Sequence, residues 1–297
     1  MVILVRDDHP KGGLPHVAEA HSRLRGVVLG DLTNYELVAR ILNEYEIDTC
    51  FHLAAQAIVG VANRSPLSTF ESNIKGTWNL LEAARQSPLL KRLVVASSDK
   101  AYGGHERLPY SEEDPLTPTH PYDTSKACAD MLARAYYHTY QMPVVVTRCA
   151  NIYGGGDLNF SRIVPDTARS VLQGTNPVIR SDGTPVRDFL YVKDAVDAYL
   201  TVAEQIDNGQ VKGEAFNFGT ASPISVLDLV NSIIEISGKT DLRPIIVGEG
   251  KTKGEIDRQY LSSEKARGIL GWKPEYSLEA GLRETMKWYE RFLPQLQ

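Results

Sequence analysis

The chain has 297 residues, 42% of them hydrophobic and 23% charged, with a formal net charge of −5. That balance suits a globular protein of one large domain or two interleaved ones, and it offers no broad basic surface for nucleic acid. No apolar run approaches the roughly 18 residues of a membrane span, and the start MVILVRDDHP turns acidic too soon for a signal peptide; Cys50, Cys128 and Cys149 lack metal-ligand spacing, so a reducing cytoplasm and no metal are expected.

Short β-branched runs alternate with amphipathic stretches along the first half. VILV (2–5) and GVVLGD (26–31) read as buried strands, followed by the helical pattern NYELVARILNEY (34–45). TCFHLAA (49–55) is the next strand and PLSTFESNIKGTWNLLEAARQ (66–86) the next helix. RLVVASS (92–98), SKACADMLARAYYHTYQ (125–141) and VVVTRCAN (144–151) continue the alternation. Apolar strands separated by helices predict an α/β fold: a Rossmann-like, doubly wound parallel sheet covered on both faces. After residue 151 glycine and proline become frequent, as in YGGGDLN, SDGTPVRD and GWKPEYS. The expected organisation is a dinucleotide-binding domain over 1–150 and a smaller substrate lobe over 151–297, with about 185–202 returning to the first domain.

Tyr122 and Lys126, in HPYDTSK (120–126), are spaced to share one face of a helix, one turn apart. A phenol titrates near pH 10 and is a poor base at neutral pH. An ammonium beside it favours the phenolate, so the pair is expected to take a proton from an alcohol. Two common residues at helical spacing also recur by chance, as a surface tyrosine beside a solvated lysine. Ser97, Ser98, Asp99 and Lys100 sit where the strand VVASSDKAYGG ends, at the carboxyl edge where open α/β sheets bind ligands. The plainer reading of Ser98 and Asp99 is a cap for the following turn.

HPYDTSK, SSDKAYG, FHLAAQ, NIKGTWNLLEAAR, RCANIYGGGD and DGTPVRDFLYVKDAVDAYL occur in this order, with LSSEKARGILGWKPEYSLEAGLRETMKWYERF at the end. Together they resemble the extended short-chain dehydrogenase/reductases of the NAD-dependent epimerase/dehydratase family, which act on nucleotide sugars. The resemblance spans the chain. It implies that Tyr122 is the base at the carbon 4 hydroxyl of a hexose, that Ser98 bonds the same hydroxyl, and that Lys126 tunes the phenol and holds the nicotinamide ribose. It implies that Asp31 and Leu32 meet the adenine, that Leu53, Ala54 and Ala55 pass along the cofactor diphosphate, and that Asn73 lies near the cofactor. Asn151 and Arg187 are implied as holders of the sugar nucleotide, with Arg258 a second cation for its phosphates. His52 reads as structural. A homodimer through the Tyr122 helix and its neighbour is implied as well; Ala127, Met131 and Ala135 at helical spacing fit that and fit plain core equally.

Oxidising carbon 4 acidifies the carbon 5 proton. A 4,6-dehydratase must then remove that proton and expel the carbon 6 hydroxyl as water, which needs an acid and a base beyond the tyrosine. Asp99 as acid and Lys100 as base fill those places, and the Ser-Asp-Lys form is most similar to cytidine-diphosphate-glucose 4,6-dehydratases. A lysine base must be neutral when it acts, and burial near other cations such as Lys126 is the expected means. The alternatives are a 4-epimerase, in which Lys100 points to solvent, and a catalytically impaired relative that binds a sugar nucleotide or a partner.

One departure from the family stands at the front. The glycine fingerprint that lets the backbone approach a pyrophosphate is missing; Gly12-Gly13 is followed by Leu14-Pro15. MVILVRDD instead resembles the family's second strand and GVVLGDL its third, so the first strand and first helix are missing from the expected order. Without a central strand the sheet has a gap of roughly 10 Å. Two arrangements are open: a protein that begins upstream, or a sheet closed differently, with MVILV sliding into the central slot. Arg6 falls where the family often has an acid for the adenosine ribose, which suggests NADP, whereas Asp7 and Asp8 favour NAD. NAD is the expected cofactor, since a dehydratase regenerates it within each cycle.

Overall fold

The computed structural model describes residues 1–7, 23–248 and 256–296. Asp8, Gly12 and Gly13 lie outside them. Strand β1 (Val2–Val5) runs parallel to β2 (Gly26–Leu29), with Val2 opposite Gly26 and Val5 opposite Leu29. Helix α1 (Tyr35–Glu44) starts where the Asn34 side chain accepts from the Leu37 amide, satisfying one of the free donors of its first turn. Strand β3 (Thr49–His52) follows, then short helices α2 (Val59–Arg64) and α3 (Pro66–Phe70). A π turn over Glu71–Lys75 leads into α4 (Gly76–Gln86).

Strand β4 (Arg92–Ala96) ends in a 3-10 turn, Asp99–Tyr102. Gly103 closes that turn at φ +74°, and a Cβ there would collide with the Thr117 carbonyl oxygen, so the position demands glycine. Helix α5 (Pro121–Tyr140) opens on proline, whose missing N–H costs nothing at a first turn, and stops at Gln141 in the left-handed region. Strand β5 (Val144–Cys149), buried throughout, precedes β6 (Asn151–Tyr153), α6 (Ile163–Leu172), β7 (Val178–Ile179), β8 (Val186–Arg187) and β9 (Phe189–Tyr191). The rest is α7 (Val192–Glu204), β10 (Ala215–Phe218), β11 (Ile224–Ser225), α8 (Val226–Ser237), β12 (Ile245–Ile246), β13 (Arg258–Gln259) and α9 (Leu278–Phe292).

The main sheet is parallel, in the order β10-β5-β4-β3. Strand β10 returns from far along the chain to pair with β5, while β6 pairs with β9 outside the main sheet. Apolar side chains of β4, β5 and β10 and of α7 share one core with Tyr102, Tyr110 and Trp272. A second core gathers α6, α8 and α9 around Tyr153, Ile179, Leu229, Ile233 and Tyr289.

Strands β1 and β2 form a separate two-stranded sheet. Among the described residues no strand pairs with the outer edge of β3, so MVILV has not slid into the central slot. The reason lies in what β2 is tied to. Val38 and Leu42 of α1 share one apolar cluster with Leu80, Leu81 and Leu93, and the Leu32 carbonyl accepts from Asn79 Nδ2 at 2.9 Å. These contacts hold β2 and α1 on α4, and β1 stays with its parallel partner. Phe51 and Leu53, at the end of β3, are left 36% and 61% exposed.

Candidate active site

The carboxyl end of β4 and the first turn of α5 meet. Ser98 caps the 3-10 turn: its Oγ accepts from the Lys100 amide at 3.2 Å and donates to Asp99 Oδ1 at 3.0 Å. Capping and a place in the site are therefore compatible. Asp99 is 3% exposed, and its Oδ2 has no partner among the described residues. Burial raises its pKa, opposed by the Lys100 charge and the Ser98 hydroxyl. With Oδ1 accepting from Ser98, a proton held by this carboxyl belongs on Oδ2.

Tyr122 is half-buried beside this turn. Its phenol is pushed up to about 12, first by burial and then by Asp99, with Ser98 acting in the opposite sense. This differs from the phenol lowered by a lysine that its spacing suggested. The Lys126 ammonium is committed elsewhere: Nζ donates to the Ala96 carbonyl at the end of β4, at 2.7 Å. Lys126 is itself lowered to about 8 by burial, with Cys149 opposing. Sharing a helix face brought the two residues to one site without making the amine the phenol's electrostatic partner. Lys100 is half-buried, and its charge acts on the carboxyls of Asp99 and Asp123. The expected setting among cations is thus a setting among carboxyls.

The other sequence candidates divide between this site and its flanks. Asn73 is buried, and its amide is spent on structure. Oδ1 accepts from the Gln56 amide at 2.6 Å, and Nδ2 donates to Gln56 O at 3.1 Å and to Ser125 Oγ at 2.9 Å. It thereby clamps the loop after β3 to α5. In that loop Leu53 and Ala54 are exposed and Ala55 is half-buried. His52 is buried with Nε2 2.8 Å from Thr77 Oγ1, and its pKa is lowered to about 3 by burial and then Lys126. Asp31 Oδ1 accepts from the Thr33 amide at 2.8 Å, and Leu32 packs over Gly76. Arg6 is exposed and reaches its neighbour Asp7 at 3.3 Å.

On the substrate side, Arg187 is buried, with Nη1 donating to Val186 O at 2.9 Å and Asp257 O at 3.2 Å. Its charge reaches Asp99. Asn151 donates its backbone and side-chain N–H groups to Asp188 O, at 3.1 and 3.3 Å. Arg258 is exposed and lines a cleft of about 540 Å³ with Gly104, Thr119, His120, Asp123 and Asp257. That cleft opens beside the first turn of α5.

Sequence reasoning missed two features. Arg148 of β5 is fully buried in a two-point ion pair with Asp130 of α5, at 2.8 and 2.9 Å, and its Nη1 donates to the Tyr102 hydroxyl at 2.8 Å. It ties the helix carrying Tyr122 to the end of the turn carrying Asp99. Gln259, also fully buried, donates to the Asp99 carbonyl at 2.8 Å. No local pattern announces either: the partners are 18 and 160 residues apart.

Residues 3–285 match the protein family described as GDP-mannose 4,6 dehydratase. The chain belongs to this family. It is an extended short-chain dehydrogenase/reductase of the NAD-dependent epimerase/dehydratase group. It is 33% identical over 287 residues to dTDP-glucose 4,6-dehydratase 1 of Escherichia coli strain K12, covering 87% of this chain and 77% of that one. The crystal structure of dTDP-glucose 4,6-dehydratase from Bacillus anthracis in complex with NAD is 32% identical, with a TM-score of 0.80, covering 95% of this chain and 85% of that one. UDP-glucose 4-epimerase from Thermotoga maritima, solved with UDP-glucose, is 29% identical with a TM-score of 0.88, covering 98% and 91%. Dehydratases and epimerases of this family therefore share the fold seen here.

Proposed function

We propose that the protein is a nucleotide-sugar 4,6-dehydratase using NAD. The observation that carries this reading is the buried Asp99 carboxyl, raised in pKa and beside Ser98 and Tyr122. A carboxyl whose protonated form is favoured by burial suits the proton donation that the departure of water requires. An epimerase has no use for one at that place.

The chain's own residues fit the nicotinamide half of NAD: a buried amine at the end of β4, a phenol beside it, and the exposed Leu53-Ala54 loop along one flank. Tyr122 and Lys126 would hold that half, Asn73 would fix the loop beside it, Leu53 to Ala55 would flank the diphosphate, and Asp31, Leu32 and Arg6 would lie toward the adenosine. Bound NAD would supply a reversible acceptor for the hydride that leaves carbon 4 and returns to carbon 6, and a positive charge that favours the Tyr122 phenolate. Tyr122 takes the proton of the carbon 4 hydroxyl while Ser98 orients that hydroxyl. Lys100 removes the carbon 5 proton once it has passed its own proton to a neighbouring carboxylate. Asp99 Oδ2 gives a proton to the carbon 6 hydroxyl, which leaves as water. Arg187, Arg258 and Asn151 hold the nucleotide diphosphate and sugar, with the cation contacts charge-assisted. In this reading residues 1–150 form most of the cofactor-binding part and 151–297 the sugar-nucleotide lobe, with α7 and, beyond the expected return of 185–202, strand β10 serving the former.

The Ser98-Asp99-Lys100 form makes CDP-glucose the first substrate to test. A homodimer through α4 and α5 accompanies this reading, supported by the exposed apolar side chains of Trp78 and Met131. The functional test is Asp99→Asn. Incubated with NAD and a panel of nucleotide sugars, the unaltered chain should yield a 4-keto-6-deoxy product, and the variant should yield on the order of 100-fold less. Undiminished product from the variant contradicts the assignment of the acid.

A further inference from the structure

Gln259 is a fully buried carboxamide that reaches the Asp99 end of the acid turn from the substrate lobe. It lies on β13, directly opposite Arg187 of β8 in a parallel register, and next to Arg258 at the mouth of the cleft. Its Nε2 donates to the Asp99 carbonyl at 2.8 Å. The bonding partner fixes the orientation of the amide, because the reversed amide would set two acceptors against each other. Its Oε1 and Asp99 Oδ2 are both buried without a partner among the described residues. Leaving buried acceptors unpaired costs stability. A site tolerates that cost where a ligand supplies the missing donors.

We propose that Gln259 is a positioning residue that sets the Asp99 turn from the strand that grips the substrate. This rests on the dehydratase reading and on diphosphate binding by Arg187 and Arg258. Strand β13 is only two residues long, so it cannot shift at Arg258 without shifting Gln259. When a diphosphate engages Arg258, β13 is held against β8 and the hydrogen bond from Gln259, on the face it shares with Arg187, holds Asp99 where its proton faces carbon 6. The acid is thereby aligned only once the phosphate end of the substrate is seated. Gln259 touches no reacting atom and acts through the Asp99 backbone.

The test uses Gln259→Leu and, in parallel, Gln259→Glu, which keeps the volume and removes the neutral donor. Both should lower kcat for the 4-keto-6-deoxy product on the order of 100-fold, the usual cost of about an ångström of misplacement. KM should stay within about threefold, because the diphosphate contacts remain. The basic limb of the kcat profile, where the acid loses its proton, should move to lower pH as water reaches Asp99. A third measurement needs neither variant nor turnover. Cytidine diphosphate, which lacks the hexose and so does not reach Asp99, should slow amide exchange in residues 98–103 of the unaltered protein. Variants with unaltered kcat and an unmoved pH limb overturn the proposal. So do variants in which kcat falls only in proportion to lost folded protein, and so does an exchange rate indifferent to cytidine diphosphate. If the unaltered protein makes only an epimer, the dehydratase reading fails, while the exchange experiment still judges the coupling.

Discussion

The buried ion pair between Arg148 and Asp130 makes the sharpest stability prediction. The two side chains are 1% and 0% exposed and meet in two parallel hydrogen bonds, at 2.8 and 2.9 Å. Burial works against the guanidinium charge, but the bonds and charge of Asp130 more than reverse this and hold its pKa above the ordinary value. Asp130→Ala leaves that charge without its counter-ion inside the protein. Breaking such a pair costs about 3–5 kcal/mol. For a chain of this size about 2 °C of Tm is lost per kcal/mol, so the midpoint should fall by roughly 6–10 °C. Arg148→Met should cost a comparable amount, since it strands the Asp130 carboxylate instead. The double variant Asp130→Ala with Arg148→Met removes both charges and should lose less than the sum of the two singles, because no charge is then left stranded. Calorimetry of the four proteins gives the coupling energy directly. Additive losses in the double variant, or a drop below about 2 °C in Asp130→Ala, would refute the reasoning.

Two more predictions concern the site and the sheet. Lys126 falls from its ordinary value of 10.5 to about 8 in the folded protein, so between those pH values the unfolded chain binds the extra proton. Stability from this group therefore rises with pH across that window, by about 3 kcal/mol in total. In Lys126→Met that rise should vanish, and equal pH slopes for the two proteins in thermal melts would count against it. The outer edge of β3 carries no strand among the described residues. Alternate amides of Thr49–His52 should then exchange far faster than those of β4, as measured by NMR; uniform protection would mean that the edge is covered.

The alternation of strands and helices was legible because four to six apolar residues in a row leave little but a parallel sheet buried on both faces. Strands β8, β11 and β13 were not legible, since two residues carry no periodicity. The return of β10 to β5 was equally hidden: AFNF reads as a strand without naming its neighbour. The meeting of Ser98 and Asp99 with Tyr122 followed from a strand end and a helix start that α/β geometry brings together. The direction of the Tyr122 shift did not follow. Helical spacing sets which face a side chain shares, whereas pKa depends on what the ammonium bonds to, and Lys126 bonds the Ala96 carbonyl. Gln259 gave no signal at all, because its partner lies 160 residues away in the sequence.

The most direct test of the central claim is product analysis in heavy water. With NAD and a nucleotide-diphosphate hexose, a dehydratase gives a product lighter than the substrate by one water and carrying a solvent deuterium at carbon 5, because the proton taken by Lys100 exchanges before one is returned. Mass spectrometry reads both features in one spectrum. A product of unchanged mass, inverted at carbon 4 and free of deuterium, would contradict the account.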